Sequence, residues 1–235
     1  MAINKPPGLL VHRSAIDRHE TRFALQLLRD QLGQRVYPVH RLDKPTSGLM
    51  LFALTPTAAR LLAEQFATHR VEKSYIAIVR GWCPAQGRID HPLREQHDAA
   101  DPAGSRRTAR VQAALTDYHR LATVELDVAV DRYPGTRYSL VLLHPRTGRR
   151  HQLRRHMKHI SHPIIGDANH GKGIHNRFFR DTLGCNRLLL ASVAATIRHP
   201  LSGQQLRLTA PPGAEFETLA TRFGWEAELL PYIEA

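Results

Sequence analysis

The chain has 235 residues, a length that fits one large domain and is enough to bury a hydrophobic core. It contains 33 Lys and Arg against 21 Asp and Glu, a formal net charge of +12 that makes a polyanion the first partner to consider. The sequence shows no signal-peptide core, no apolar run of membrane-spanning length, and only two cysteines, Cys83 and Cys185, in unrelated surroundings. We therefore expect a cytoplasmic protein without disulfides or membrane contact.

Apolar spacing and turn residues predict helices and strands in irregular alternation. In chain order, the predicted elements are a helix (21–32), strands (36–40, 49–54), a helix (55–69), strands (73–80, 122–130, 138–142), a helix (149–159), strands (188–197, 206–209) and a helix (215–223). Thr55 and Pro56 are typical of an N-cap and first helical position, and Gly33 of a C-cap. The polar segment 94–110 predicts a mobile insertion. Because helices and strands do not alternate as regular βαβ units, we expect the fold to be of the α+β class.

The positive charge is concentrated in residues 141–200, which hold 11 Lys or Arg, two acids and eight of the 15 His. A solvated face would explain such a run, but Thr147 and Gly148 predict a turn that opens a basic helix. A helix N-terminus favours phosphate, so cations crowded there suit an external anion. Helical spacing would place Arg150 and Arg154 on one face, where a buried arginine would keep a catalytic carboxylate ionised.

An acidic residue that could do chemistry precedes the turn at 45–48. If strand geometry persists beyond residue 40, Arg41 and Asp43 project from the same face at the end of that strand. An aspartate before a turn is more often a cap or a surface acid, so this position needs independent support.

Five blocks in order resemble the RluA family of pseudouridine synthases. They are His40-Arg41-Leu42-Asp43, Thr46-Ser47-Gly48, Lys73-Ser74-Tyr75, Thr147-Gly148-Arg149 with His151-Gln152-Leu153-Arg154, and His162-Pro163-Ile164-Ile165-Gly166-Asp167. The resemblance implies one catalytic domain over 1–235, a mixed, mostly antiparallel sheet flanked by helices with an active-site cleft across the sheet. It also implies a first strand that is shortened or absent, and no separate N-terminal RNA-binding module.

The resemblance further implies the roles of four side chains. Asp43 matches the nucleophile that attacks the target uridine, and Arg154 matches the arginine that pairs with it. Tyr75 matches the tyrosine that packs on the base, although its strand alone favours a core position. Arg41 matches an arginine that fills the stack when the uridine flips out. No metal or organic cofactor is expected, and we assign Asp167 no catalytic role.

The same resemblance suggests the RNA partner and its contacts. Further segments resemble family members that act on tRNA, which implies a tRNA target, at uridine 65, with ribosomal RNA as the alternative and a monomeric enzyme. The residues expected to contact RNA are His40, Arg41, Lys73, Arg146, Arg149, Arg150, Arg155, Lys172, Arg177 and Arg180. For Lys73 the alternative to a phosphate contact is a solvated edge residue.

Two other functions compete with this one. A zinc hydrolase or nuclease is suggested by His151, His156, His159 and His162, which fall within 12 residues. The last three have i, i+3, i+6 spacing, which cannot place all of them on one helical face, and no neighbouring acid completes a ligand set. A catalytically silent RNA-binding protein is the second alternative; it predicts binding without product.

Overall fold

The chain folds around a large β-sheet with helices packed on both faces, and the computed structural model describes residues 1–13, 19–95 and 110–233. The strands are β1 (Ala2–Lys5), β2 (Tyr37–Pro38), β3 (Ser47–Ala53), β4 (Glu72–Arg80), β5 (Gln86–Asp90), β6 (Leu93–Arg94), β7 (Val111–Gln112), β8 (Leu115–Leu126), β9 (Thr136–Pro145), β10 (Leu190–Arg198) and β11 (Gln205–Thr209). The helices are α1 (Ala24–Leu32), α2 (Pro56–Ala67), α3 (Gln152–His159), α4 (Gly173–Asp181), α5 (Ala214–Phe223) and α6 (Glu226–Leu229).

The sheet is mixed and mostly antiparallel. Its strand order is β1-β3-β10-β4-β9-β8-β5, with β2 beside β3 and β11 beside β10. Among the paired strands described, β10 and β3 run parallel and the other pairs run antiparallel. The predicted α+β class with a mostly antiparallel sheet is therefore confirmed. The first strand is short but present, since β1 pairs with β3 over four residues.

Alternation along β4 sends its side chains into two cores. Ile76 and Ile78 pack on one face with residues of α4 and α5, such as Phe179. Ala77 and Val79 pack on the other face with Leu143 and with α3. This period of two is what a strand buried on both faces requires. The packing on this second face holds α3 over the end of the sheet that carries the functional site.

Several predicted elements form at or near their expected bounds. Thr55 caps α2 by accepting a hydrogen bond from the Ala58 amide at 3.2 Å, and Gly33 ends α1 in a left-handed conformation. The predicted strand 122–130 is wrong in its limits, because β8 begins at Leu115 and ends at Leu126. A local turn, in which the Val128 amide donates to the Leu126 carbonyl, ends that strand.

Other expectations concern the cysteines, the membrane and the insertion. Cys83 and Cys185 are both buried and free, as expected. Among the described residues no helix is long and apolar enough to cross a membrane. Most of the predicted insertion, residues 96–109, lies outside the described part of the chain.

Gly48 marks a close approach of two backbones beside the site. It has φ +103°, and a Cβ there would lie 2.1 Å from the Ser192 carbonyl oxygen of β10. Only glycine fits such a position without displacing backbone. The Thr46-Ser47-Gly48 block therefore brings the loop that carries Asp43 against the centre of the sheet.

Candidate active site

A cavity of about 400 Å³ opens over one end of the sheet, between the loop before β3, strand β4 and the N-terminal part of α3. It is lined by Arg41, Leu42, Asp43, Thr46, Lys73, Tyr75, Leu93, Arg94, Glu95, Gln112, Pro145, Thr147, Gly148, Arg149, Arg150, His151, Gln152, Leu153, Arg154, Arg155 and Leu190. Seven of these are Lys or Arg and two are acidic, so the cavity carries a strong positive charge. Such a lining favours an anionic ligand.

Asp43 reaches the cavity from a loop and not from a strand. The expectation that strand geometry persists to this residue is wrong, because β2 ends at Pro38. A turn in which the Thr46 amide donates to the Asp43 carbonyl, at 3.0 Å, shapes the loop instead. Arg41 and Asp43 still line the same cavity. The Asp43 side chain is 22% exposed, so it remains accessible to a ligand.

A buried lysine holds this loop in place. Lys5 has no exposed surface, and its ammonium group donates to the carbonyls of Pro6, Leu9 and Lys44 at 2.8 to 3.1 Å. Burial lowers the pKa of Lys5 to about 8, while the Asp43 charge opposes that shift. The Asn4-Lys5-Pro6 segment thus fixes the backbone directly after Asp43.

Arg154 links two carboxylates inside the protein. Its Nη1 donates to Oδ2 of Asp43 at 3.1 Å, which places the sequence-predicted pair in contact. Burial alone would lower the pKa of Arg154, but its bonds to Asp167 and the charges of both carboxylates raise it above the ordinary value. The guanidinium is therefore permanently charged although its side chain is only 4% exposed. A buried cation of this kind gives the Asp43 carboxylate a charged hydrogen-bond donor at a fixed point.

Asp167 is the residue that sequence reasoning missed. Its two oxygens accept from Nε and Nη2 of Arg154 at 2.7 and 2.8 Å, a bidentate pair. Oδ1 also accepts from the amides of Asn169 and His170. Burial would raise the pKa of Asp167, but the bonds from Arg154 and these amides hold it below its ordinary value. The signal in the sequence was the Gly166-Asp167 dipeptide, which is also typical of a plain turn.

The turn before α3 has a backbone feature that the sequence did not indicate. His151 adopts φ +53° and ψ +25°, and α3 begins only at Gln152. The helical face expected to carry both Arg150 and Arg154 is therefore wrong, because Arg150 precedes the helix. Gln152 stabilises the turn: its Oε1 accepts from Thr147 Oγ1 at 2.7 Å and from the Arg149 amide at 3.0 Å.

Tyr75 lies on β4 with its side chain at the cavity. Burial raises its pKa to about 12, although a hydrogen bond with Ser192 opposes the shift. The phenol is therefore neutral at physiological pH. Its ring forms an apolar wall beside Asp43, on which a flat base can stack.

Five of the residues expected to bind RNA line the cavity: Arg41, Lys73, Arg149, Arg150 and Arg155. Lys73 is half-buried, and its Nζ lies 3.4 Å from the Thr147 carbonyl oxygen. Burial lowers the pKa of Lys73 to about 8. An anion in the cavity would oppose that effect and favour the charged form.

The other five lie outside the cavity lining. Arg146 is exposed and pairs with Asp117 at 2.8 Å. Lys172 and Arg180 contact Asp131 and Asp181, while Arg177 is exposed on α4. These positions leave their RNA contacts as predictions.

His40 has intramolecular partners on both its ring edge and its ring face. Its Nε2 accepts from the Leu51 amide at 2.9 Å, and its ring stacks on Phe66 with 4.5 Å between ring centroids. Burial lowers its pKa to about 4. These contacts favour a structural role for His40 in holding the Asp43 loop to β3.

The histidines of the basic segment do not form a metal-binding group. His156 is fully buried, with Nδ1 on Thr116 Oγ1 and Nε2 on the His91 carbonyl oxygen, each at 3.0 Å. His162 Nδ1 lies 2.8 Å from the Arg80 carbonyl oxygen. Within the described ranges no group of three or more His, Cys, Asp or Glu could hold a metal ion. A zinc hydrolase is not favoured.

Comparison with known proteins agrees with this geometry. The family model for RNA pseudouridylate synthase matches residues 1–159, which include Asp43, Tyr75 and Arg154. The chain belongs to the RNA pseudouridylate synthase family. It is 46% identical to tRNA pseudouridine synthase C of Vibrio cholerae over 98% of this chain and 94% of that protein. It is 50% identical to the protein of the same name from Pasteurella multocida over 96% and 93%.

Solved structures of the family share the fold. Human RNA pseudouridylate synthase domain containing 4 superimposes with a TM-score of 0.70 at 26% identity, covering 95% of this chain and 89% of that chain. Human RNA pseudouridylate synthase domain containing 1 gives a TM-score of 0.66 at 27% identity. As a pseudouridine synthase, the protein is an isomerase, and the hydrolase and silent-binder alternatives are not favoured.

Proposed function

We propose that this protein converts a uridine of tRNA to pseudouridine with Asp43 as the nucleophile. The observation that carries the proposal is the 3.1 Å contact between Arg154 and Asp43 inside a cationic cavity. A polyanionic substrate would be drawn to this cavity, while the hydrogen bond from Arg154 orients the carboxylate of Asp43 for attack. The relatives named for activity on tRNA match this chain over nearly its whole length, which supports tRNA as the RNA class.

The isomerisation conserves atoms and electrons. The N1–C1′ glycosidic bond breaks, a C5–C1′ bond forms, and the proton that leaves C5 is balanced by one gained at N1. No oxidant, reductant or group donor enters this balance. A carboxylate suits the work because it is a modest nucleophile and a good leaving group, as in glycosyl transfer.

Tyr75 and Arg41 supply the other two roles. Tyr75 packs on the target base as a neutral phenol and limits its movement while the base is detached. Arg41 is exposed at the cavity, where it can enter the gap that the extruded uridine leaves in the RNA stack. Lys73, Arg149, Arg150 and Arg155 hold the flanking phosphates.

The finer features of the substrate and the protein remain predictions. These are uridine 65 as the target, a monomeric enzyme and a cytoplasmic location. The target is a paired nucleotide, so its extrusion must be driven by binding energy from the surrounding phosphates.

The proposal is tested by incubating the protein with unmodified tRNA and with unmodified ribosomal RNA. Pseudouridine is mapped by carbodiimide-dependent stops in reverse transcription. We expect one stop in tRNA, in the acceptor and T-arm region. A stop in ribosomal RNA alone would overturn the tRNA assignment, and no stop in either would overturn the activity.

A further inference from the structure

A pair of histidines lies beside Asp43, and one of them faces its carboxylate. His151 Nε2 lies 3.8 Å from Asp43 Oδ2, and His151 Nδ1 lies 3.0 Å from His170 Nε2. The two imidazoles therefore form a chain that ends at the same carboxylate oxygen as Arg154 Nη1. The proposed mechanism does not yet use either histidine.

The backbone of His151 indicates that its position is enforced. His151 is one of three non-glycine residues with positive φ in the described ranges, and it lies directly before α3. Such a conformation is unfavourable for a residue with a Cβ and persists where the surroundings impose it. Here the left-handed backbone of His151 places its imidazole beside Asp43. With helical backbone angles, His151 would instead be the first residue of α3.

The charge state of His151 restricts what it can offer. Burial lowers its pKa to about 4, and the Asp43 charge opposes this while Arg154 and His170 add to it. His151 is therefore neutral at physiological pH, with one N–H and one lone pair. A lone pair on Nε2 would face the negative Oδ2, whereas an N–H on Nε2 would be attracted to it. The carboxylate thus selects the Nε2–H tautomer, in which Nδ1 accepts from His170 Nε2–H.

Asp167 holds His170, the histidine farther from Asp43. Its Oδ1 accepts from the His170 amide at 2.9 Å, while the same carboxylate binds Arg154. One buried acid therefore holds Arg154, which contacts Asp43, and the backbone of His170, whose ring contacts His151. The ring planes of His151 and His170 are nearly perpendicular, at 76°. This angle is compatible with a hydrogen bond from an N–H of one ring to the in-plane lone pair of the other.

We infer that His170 fixes the Nε2–H tautomer of His151, and that His151 and Arg154 together hold Oδ2 of Asp43 so that Oδ1 faces the uridine. The inference rests on the proposed role of Asp43. At 3.8 Å the His151 contact is electrostatic and longer than a hydrogen bond, and a small rotation of the carboxylate would close it. Both histidines are positioning residues, because neither is required to touch the substrate.

The activity test uses His170→Phe, which keeps a ring and removes the N–H, and His170→Gln, whose amide can supply an N–H near the same place. We expect His170→Phe to lower the single-turnover rate on tRNA about 10- to 100-fold, the range for a misplaced catalytic group, with affinity for tRNA unchanged within twofold. His170→Gln should recover the rate to within about threefold of the parent. His159→Phe, at an exposed position at the end of α3, is the control.

A second readout does not depend on activity. Long-range ¹H–¹⁵N correlation spectra of the full chain report which nitrogen of His151 carries the proton. We expect Nε2–H in the parent and a mixture of tautomers in His170→Phe. An Nδ1–H tautomer in the parent, or a rate for His170→Phe equal to that of His159→Phe, would overturn the inference. If the parent itself forms no pseudouridine, the proposed function fails, and the spectra still decide the tautomer.

Discussion

Arg154 is held by Asp167 through two hydrogen bonds, of 2.7 and 2.8 Å, and this leaves only its Nη1 edge for Asp43. The buried acid thus neutralises the buried guanidinium and sets its orientation. Asp43 receives a donor at a fixed point and retains some exposure to the cavity. A structural ion pair and a catalytic contact therefore share one arginine.

Replacing Asp167 should destabilise the protein strongly. Asp167→Asn leaves a buried guanidinium without its bidentate carboxylate, and breaking such a pair costs about 3 to 5 kcal/mol. We expect that decrease in the free energy of unfolding, measured by urea denaturation at pH 7. Asp181→Asn, which disrupts an exposed pair with Arg180, should change the free energy of unfolding far less. Equal effects for the two variants would contradict the assigned role of Asp167.

Stability should fall on acidification because several buried histidines are neutral in the folded protein. Burial lowers the pKa values of His40, His156 and His175 to about 4, against 6.5 for an unfolded chain. Between pH 6.5 and 4 the unfolded state binds more protons, so each histidine lowers stability by up to about 1.4 kcal/mol per pH unit. The slope falls as the pH rises through 6.5, and these groups contribute almost none about one pH unit above that value.

The acid dependence is checked by urea denaturation at pH values from 4.5 to 7.5. His156→Gln should reduce the slope below pH 6.5, whereas His119→Gln, at an exposed position, should leave it unchanged. A stability that stays level from pH 6.5 to 4.5 would show that these histidines are not buried in neutral form.

Affinity for RNA should depend steeply on salt if the basic segment contacts phosphates. Arg177→Gln, on the exposed part of α4, should weaken binding to all RNAs alike. It should lower the slope of log K against log salt by about 0.7 to 0.9, the value for one phosphate contact. Arg60→Gln on α2, outside the basic segment, is the control. An unchanged slope for Arg177→Gln would remove the phosphate role from that position.

Arg41 should matter most where a base must leave a helix. Arg41→Ala should lose more activity on folded tRNA than on a short unpaired oligonucleotide with the same uridine, because little stacking is replaced in the latter. Single-turnover rates on the two substrates measure the difference. Equal losses would indicate that Arg41 positions Asp43 instead of filling the RNA stack.

Local patterns predicted the elements whose signals lie within the segment itself. Thr55 and Gly33 marked helix ends, and continuous apolar runs gave β3 and β10. The short ribbon of β6 and β7 and the helix α4 were not predicted. Their apolar content is low, and packing against the rest of the chain determines them.

The site was predictable in part, through motifs that match a family. Asp43 and Arg154 were expected to pair and do so, although 111 residues separate them. Asp167 could not be distinguished from a turn residue, because its partner is known only from the folded chain. The left-handed conformation of His151 also gave no sequence signal, since it is uncommon for any residue other than glycine and no local pattern marks it.

The central claim is that Asp43 acts as the nucleophile, and Asp43→Asn tests it most directly. The amide is nearly isosteric but cannot attack, so turnover should be lost while tRNA affinity stays within a few-fold. The measurement is release of tritium from tRNA labelled at C5 of uridine, under single-turnover conditions with enzyme in excess. We predict no release above background for Asp43→Asn and complete release for the parent. Release by the variant at a rate within tenfold of the parent would contradict the account.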